Sequence, residues 1–241
     1  MITVDGVWTL EGLDRTDKNR MISRKDLTDY INEIGFLPLF RTSNIKGFSV
    51  EEITAKDSWW GANRGEDPWI WREEIAAEGE VAYGKFFSNK AGFVSKAWYP
   101  IFASFRRDGY DFDSRYEDGH ASRKAKMIMD ILEEYDTLPS YELKSMAGFC
   151  KGGEKGFETV MAALQMQTYL SVRGFQRRRS KKNEEYGWSV ASYSCSERIF
   201  GEEHVRAAYH LSAEDAKEKI ISHMQDKFPE ASYQEIALSI R

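Results

Sequence analysis

Six basic side chains crowd ten positions of this chain: Arg173, Arg177, Arg178, Arg179, Lys181 and Lys182. Such a cluster can neutralise several phosphates of a nucleic acid, with an affinity that falls steeply as salt rises. Arginine adds a planar fork that matches phosphate or the edge of guanine. Just upstream stand two carboxamides one residue apart, Gln165 and Gln167. Each offers an acceptor and two donors, enough to fix a water or a base edge. On a helix the two would point about 200° apart, whereas on an extended segment they would point the same way. An extended backbone at this junction would aim both amides at one spot; the plainer reading is two surface glutamines at a helix end. A Gly- and Lys-rich run, residues 151–156, brings Lys151 and Lys155 to the same half of the chain, but without the GxxxxGK[ST] frame of a nucleotide loop.

Charge is distributed to match. The 241 residues carry 34 Lys and Arg against 39 Asp and Glu. Residues 120–182 reverse the balance, with 12 basic against 7 acidic. One basic face in an acidic chain suits a polyanion, and a solvated surface loop is the bland alternative. Other chemistries find less support. Asp111-Phe112-Asp113 begins like a calcium loop, but Arg115 stands where the third ligand belongs, so loop and helix-capping duty is expected. His120, His204, His210 and His223 show no metal-ligand spacing, and Cys150 and Cys195 are too few for a cysteine zinc site. Neither metal nor cofactor is expected. Two cysteines are no disulfide framework and fit a reducing cytoplasm. No apolar run approaches the ~18 residues that span a bilayer, and no secretory signal opens the chain, so no membrane partner is expected. Trp59, Trp60, Trp69 and Trp71 could stack on a base, although such clusters more often form a core.

The elements follow from caps and periodicity. Ser23 caps a helix carrying Leu27, Tyr30, Ile31 and Ile34, with Gly35 as its stop. Ser49 and Glu52 form a capping-box pattern that opens a helix toward Trp59 and Trp60. Residues 61–68 read as a loop and 79–94 as a hairpin. Ser95 caps a helix with Trp98, Tyr99, Phe102 and Phe105, starting nearer residue 98 because of Pro100. Residues 109–119 read as a polar loop and a domain boundary. From His120 the order is helix to Tyr135, a short helix capped by Ser140, and a third helix with Phe157, Val160, Met161 and Leu164. A strand at residues 169–172, a basic loop at 173–182 and a strand with Tyr186, Trp188 and Val190 complete the order of a winged helix-turn-helix. A helix runs from Ser212 to Pro229, and a short one follows Ser232.

The run Leu164-Gln165-Met166-Gln167-Thr168-Tyr169-Leu170 resembles the QxQ or QxD signature of the winged-helix DNA glycosylases AlkZ and YcaQ. The stretch from Lys90 through Trp98-Tyr99-Pro100 to Arg107 is loosely similar to a second segment of that family, with Lys90 near the place of a family histidine. The likeness spans roughly residues 79–195 and is nearest to the shorter bacterial AlkZ-related proteins. It implies hydrolysis of the N-glycosidic bond of alkylated, cationic bases. A cationic base leaves readily, so a positioned water is the main requirement. By the same resemblance, Gln165 and Gln167 would hold that water.

The expected fold is therefore α+β: a winged helix-turn-helix core at 116–196, a mixed α/β N-terminal domain at 1–115 with room for one degenerate winged-helix unit, and a helical C-terminal tail at 197–241. Duplex DNA is the expected partner, gripped by the six wing cations with Lys151 and Lys155. The expected function is DNA binding with glycosylase activity, and the alternative is a non-catalytic regulator or protein-interaction module.

Overall fold

Local sequence signals set most element boundaries. The computed structural model describes residues 2–4, 7–180 and 182–241. Strands β1 (Ile2–Val4) and β2 (Val7–Thr9) form an antiparallel pair. Helix α1 (Arg24–Ile34) starts where the Ser23 hydroxyl accepts the Asp26 N–H at 3.2 Å and stops at Gly35, φ 84°. It buries Leu27, Ile31 and Ile34 and leads into β3 (Phe36–Pro38). The Ser49 cap is present, yet α2 (Val50–Ile53) lasts one turn and does not reach the tryptophans. Thr54 turns extended instead, and its hydroxyl accepts the Trp59 indole N–H at 2.9 Å.

Helix α3 (Pro68–Glu78) has no clean polar stripe in the sequence. It buries Trp71, Arg72, Ile75 and Ala76 on one face, but the charged Arg72 lies within that face and Trp69, Ile70 and Ala77 lie outside it, so hydrophobicity alone does not mark the stripe. Its ends are orthodox: Asp67 accepts the Trp69 N–H, Pro68 takes the first position and left-handed Gly79 closes it. Strands β4 (Val81–Phe87) and β5 (Lys90–Ser95) form the expected hairpin through Ser88 and Asn89, both at positive φ. Gly92 is required there, because a Cβ would lie 2.5 Å from a Phe87 ring carbon and 2.7 Å from the Leu37 carbonyl. Helix α4 (Tyr99–Arg107) is entered through Trp98, not capped by Ser95, with Pro100 harmless in the first turn.

Residues 109–119 are not a plain loop. Asp111 caps a helix, α5 (Phe112–Glu117), whose Phe112 packs edge-on to Tyr169. Asp113, the second aspartate of the calcium-like triplet, pairs with Lys126. Helix α6 (Arg123–Glu134) begins at the Ser122 cap, three residues later than His120. Then come β6 (Leu138–Pro139), α7 (Ser140–Met146), α8 (Phe157–Met166), β7 (Leu170–Arg179) and β8 (Glu185–Cys195). Ser140 is the first residue of α7, and Pro139 occupies the cap. The expected basic loop is strand through Arg179; of the described residues only 180 and 182–184 lie between it and β8. Helices α9 (Ser196–Phe200), α10 (Glu202–Arg206), α11 (Ala213–Lys227) and α12 (Tyr233–Ser239) follow, the last opened by a full capping box between Ser232 and Glu235.

The fold is thus mixed α/β with antiparallel sheets ordered β3-β5-β4 and β6-β8-β7. The Ser171 hydroxyl donates to the Tyr83 carbonyl at 3.0 Å, joining β7 to β4. One apolar cluster gathers Phe36, Phe86 and Phe102 with Ile220, Ile221 and Met224 of α11. A second lies between α1, α3 and the first sheet, and a third fills the space between α6, α7, α8 and the base of the β7–β8 hairpin. Among the described residues no helix is long and apolar enough to cross a membrane. Cys195 lies in the third cluster, where burial pushes its thiol up to about 12, whereas Cys150 is exposed. A thiol reagent at about pH 8 should therefore titrate one thiol per native chain and two after unfolding. Two fast thiols in the native protein would contradict this packing.

Candidate nucleic-acid interface

The β7–β8 hairpin carries the basic cluster, and the pleat sorts its members. Arg173, near the base, turns back to donate to the Ala77 carbonyl at the end of α3. Arg177, Arg178 and Arg179 are exposed. Arg177 lines a cleft against α3. Arg178 takes the opposite face, 5.2 Å from the Tyr141 ring, and borders a hollow shared with Lys144 and Lys151. Arg179 bonds Asn183 at 3.0 Å and pairs with Glu185 at 3.4 Å. Lys182 is exposed, as are Lys151 and Lys155 on the α7–α8 loop. Lys181 lies outside the described residues.

Charge pairing is uneven over the protein surface. Arg15, Arg24, Arg41, Arg107, Arg198 and Arg206 each meet a carboxylate. Among the described residues, Arg177, Arg178, Lys151, Lys155 and Lys182 meet none within 4.0 Å. In an acidic chain, cations left unneutralised and close together retain their field for an outside anion. Aromatics accompany them: Trp188 is 81% exposed and Tyr186 51%. The alternation of Tyr186, Trp188 and Val190 marked a strand but not the exposure of these rings. Gly187 between them takes φ 74° and breaks the ladder near the tip. Lys144 was likewise not legible as part of this surface. The outer face of α8 presents Glu158, Thr159 and Ala163, so the cations sit on the hairpin and the preceding loop instead.

The two glutamines are placed differently from one another. The backbone through residues 165–167 is helical to its end, with Gln167 at φ −83°, ψ 3°, so the carboxamides diverge around the axis rather than converge. Gln165 is 1% exposed. Its Oε1 accepts the Lys85 N–H at 3.0 Å and its Nε2 donates to the Met161 carbonyl at 2.9 Å, tying α8 to β4. Gln167 is half-buried, and its carboxamide has no hydrogen-bond partner among the described residues.

A buried polar network fixes the turn that follows. Thr168 adopts φ 63°, costly for a β-branched residue. Three donors converge on its carbonyl: Tyr99 Oη at 2.9 Å, Ser196 Oγ at 2.7 Å and Arg107 Nη2 at 2.6 Å. Arg107 Nε also donates to the Thr168 hydroxyl at 3.0 Å, while Nη1 reaches Glu197 and the Tyr209 hydroxyl. Burial lowers the Arg107 pKa, but Glu197 and Tyr209 outweigh it and raise it overall, so the guanidinium stays charged. The sequence offered no sign of this network beyond an arginine at a helix end.

Fold and surface together define a mixed α/β protein with an unneutralised cationic hairpin beside a buried glutamine–arginine core. The family model of the AlkZ-related proteins matches residues 21–241, and the chain belongs to that family. Among solved structures, Streptomyces sahachiroi DNA glycosylase AlkZ is similar at 9% identity and a TM-score of 0.46, over 86% of this chain and 52% of that one. The chain thus spans about half the length of that protein. No curated protein matches it.

Proposed function

We propose that this AlkZ-related protein binds duplex DNA, with the β7–β8 hairpin and the α7–α8 loop gripping the phosphate backbone. The observation that carries the reading is the group of exposed cations without carboxylate partners: Arg177, Arg178, Lys182, Lys151 and Lys155, with Arg179 beside them. Residues 116–196 read as a winged helix. In support, α6, β6, α7, α8 and the hairpin follow in that order, and the strands are ordered β6-β8-β7. Residues 1–115 then form the mixed N-terminal domain and 197–241 the helical tail. A reducing cytoplasm suits the exposed thiol of Cys150.

Changing Arg177, Arg178 and Arg179 together to Ala should weaken duplex binding. It should also flatten the slope of log affinity against log salt by up to about 0.9 per lost phosphate contact. Thermal stability should barely move, since exposed charges rarely contribute more than ~1 kcal/mol. An unchanged salt slope would remove the hairpin from the interface.

A second reading adds base release, with the pair Gln165 and Gln167 serving hydrolysis of the N-glycosidic bond of alkylated, cationic bases. What favours it is the unengaged carboxamide of Gln167 at a rigidly held helix end. Gln167 would hold the water, and Gln165 would hold the helix end that carries it.

A further inference from the structure

The hairpin's inner face and α3 enclose a cleft of about 320 Å³, near the lower end of ligand-pocket sizes. Trp69, Ile70, Phe175 and Trp188 supply its apolar surface, and the exposed Arg64 and Arg177 border it. Neither arginine meets a carboxylate among the described residues within 4.0 Å. The walls are preset. The Arg72 guanidinium is nearly fully buried, 3.6 Å from the Trp69 ring centre and 4.2 Å from that of Phe175, and so spaces the two rings. Glu73 also lines the cleft, with 20% of its side chain exposed. Its Oε1 accepts from Arg72 at 3.1 Å and from the Ser189 hydroxyl at 2.6 Å. Its Oε2 is without a partner among the described residues and can accept from an amino group. The Trp188 indole leaves its surface in water and shares the apolar lining of the cleft with Trp69, Ile70 and Phe175.

We infer that this cleft takes one unpaired nucleobase of DNA, stacked on Trp188, with its flanking phosphate on Arg177 and Arg64. The inference rests on the DNA-binding reading and adds a preference to it. Bases inside a continuous duplex show only their edges, so an indole face gains nothing from them. An unpaired base offers a π-face, and stacking of this kind contributes about 1–3 kcal/mol per base, or roughly five- to 150-fold in affinity. The protein should therefore distinguish duplexes that carry a looped-out nucleotide from perfect ones.

The experiment compares three duplexes of one sequence: continuous, with a single 2-aminopurine bulge, and with an abasic bulge of equal flexibility. The 2-aminopurine bulge should bind about ten- to a hundredfold more tightly than the other two, with its fluorescence quenched on binding. In Trp188→Ala the ratio between the base-bearing and abasic bulges should fall to near one, and Trp188→Phe should restore part of it. Equal affinity of the wild-type protein for the two bulges would overturn the inference and leave DNA binding intact. An unchanged ratio in Trp188→Ala would also overturn it. Binding to none of the duplexes would remove the DNA-binding reading itself. Trp188-dependent binding to anionic phospholipid vesicles in place of DNA would assign the exposed indole to a membrane and overturn both.

Discussion

Replacing Arg107 by Met should cost about 3 kcal/mol of folding stability, the lower end of the cost of breaking a buried ion pair. Arg107 is fully buried, and its partner Glu197 keeps a quarter of its side chain in water, so the orphaned carboxylate can partly rehydrate. The larger loss falls on Thr168. Its left-handed backbone is held by donors on its carbonyl and hydroxyl, and Arg107 supplies two of them. Without them the turn between α8 and β7 has less to offset its strain. Urea titration should show a lower midpoint with an unchanged slope. Arg107→Met combined with Glu197→Gln should recover part of the loss, because the unpaired charge is then gone. A single-variant cost under about 1 kcal/mol would show that the turn is held by Tyr99 and Ser196 alone.

The two glutamines should part company under substitution. Gln165→Ala leaves the Lys85 N–H and the Met161 carbonyl short of a partner in a dry interface, a cost of about 1–3 kcal/mol. Gln165→Glu should be worse, since it brings a carboxylate oxygen to the Met161 carbonyl. Gln167→Ala should stay within about 0.5 kcal/mol of wild type, because its side-chain carboxamide bonds nothing among the described residues. If the protein releases cationic bases, Gln167→Ala should slow single-turnover release of N7-alkylated guanine by about ten- to a thousandfold, with duplex affinity retained. Losses at 165 and 167 should not add, since both act on one water's position. No abasic product from wild-type protein on several alkyl adducts would discard base release and leave DNA binding. Equal stability losses for Gln165→Ala and Gln167→Ala would contradict the division of roles.

Much of the architecture is legible in local sequence because its causes are local. Ser23, Ser122, Ser212 and Ser232 each meet a backbone N–H three residues on, and the Ser88-Asn89 pair turns a hairpin within two residues. Amphipathic helices such as α6 and α11 betray themselves by one buried face. The same logic fails for α3, whose buried face includes the charged Arg72, and for the one-turn α2, whose continuation toward Trp59 is stopped where the Ile53 and Thr54 carbonyls accept the Met21 and Leu13 N–H groups. It fails again at the basic run, where charge density suggested a loop while cross-strand pairing with β8 kept the chain extended to Arg179.

The site divides along the same line. Composition and order alone place a cationic segment after a third helix, and they place two amides at that helix's end. Only the tertiary structure decides that Arg173 faces inward, that Arg177 and Arg178 serve opposite faces, and that Trp188 stands in water. It alone decides that Gln165 is engaged by a backbone N–H 80 residues away while Gln167 is not. Caps and periodicity act within one turn of helix or one pleat of strand, so a single segment carries the information. Which donor meets a buried carboxamide depends on which distant strand packs there, and no window of sequence contains both partners.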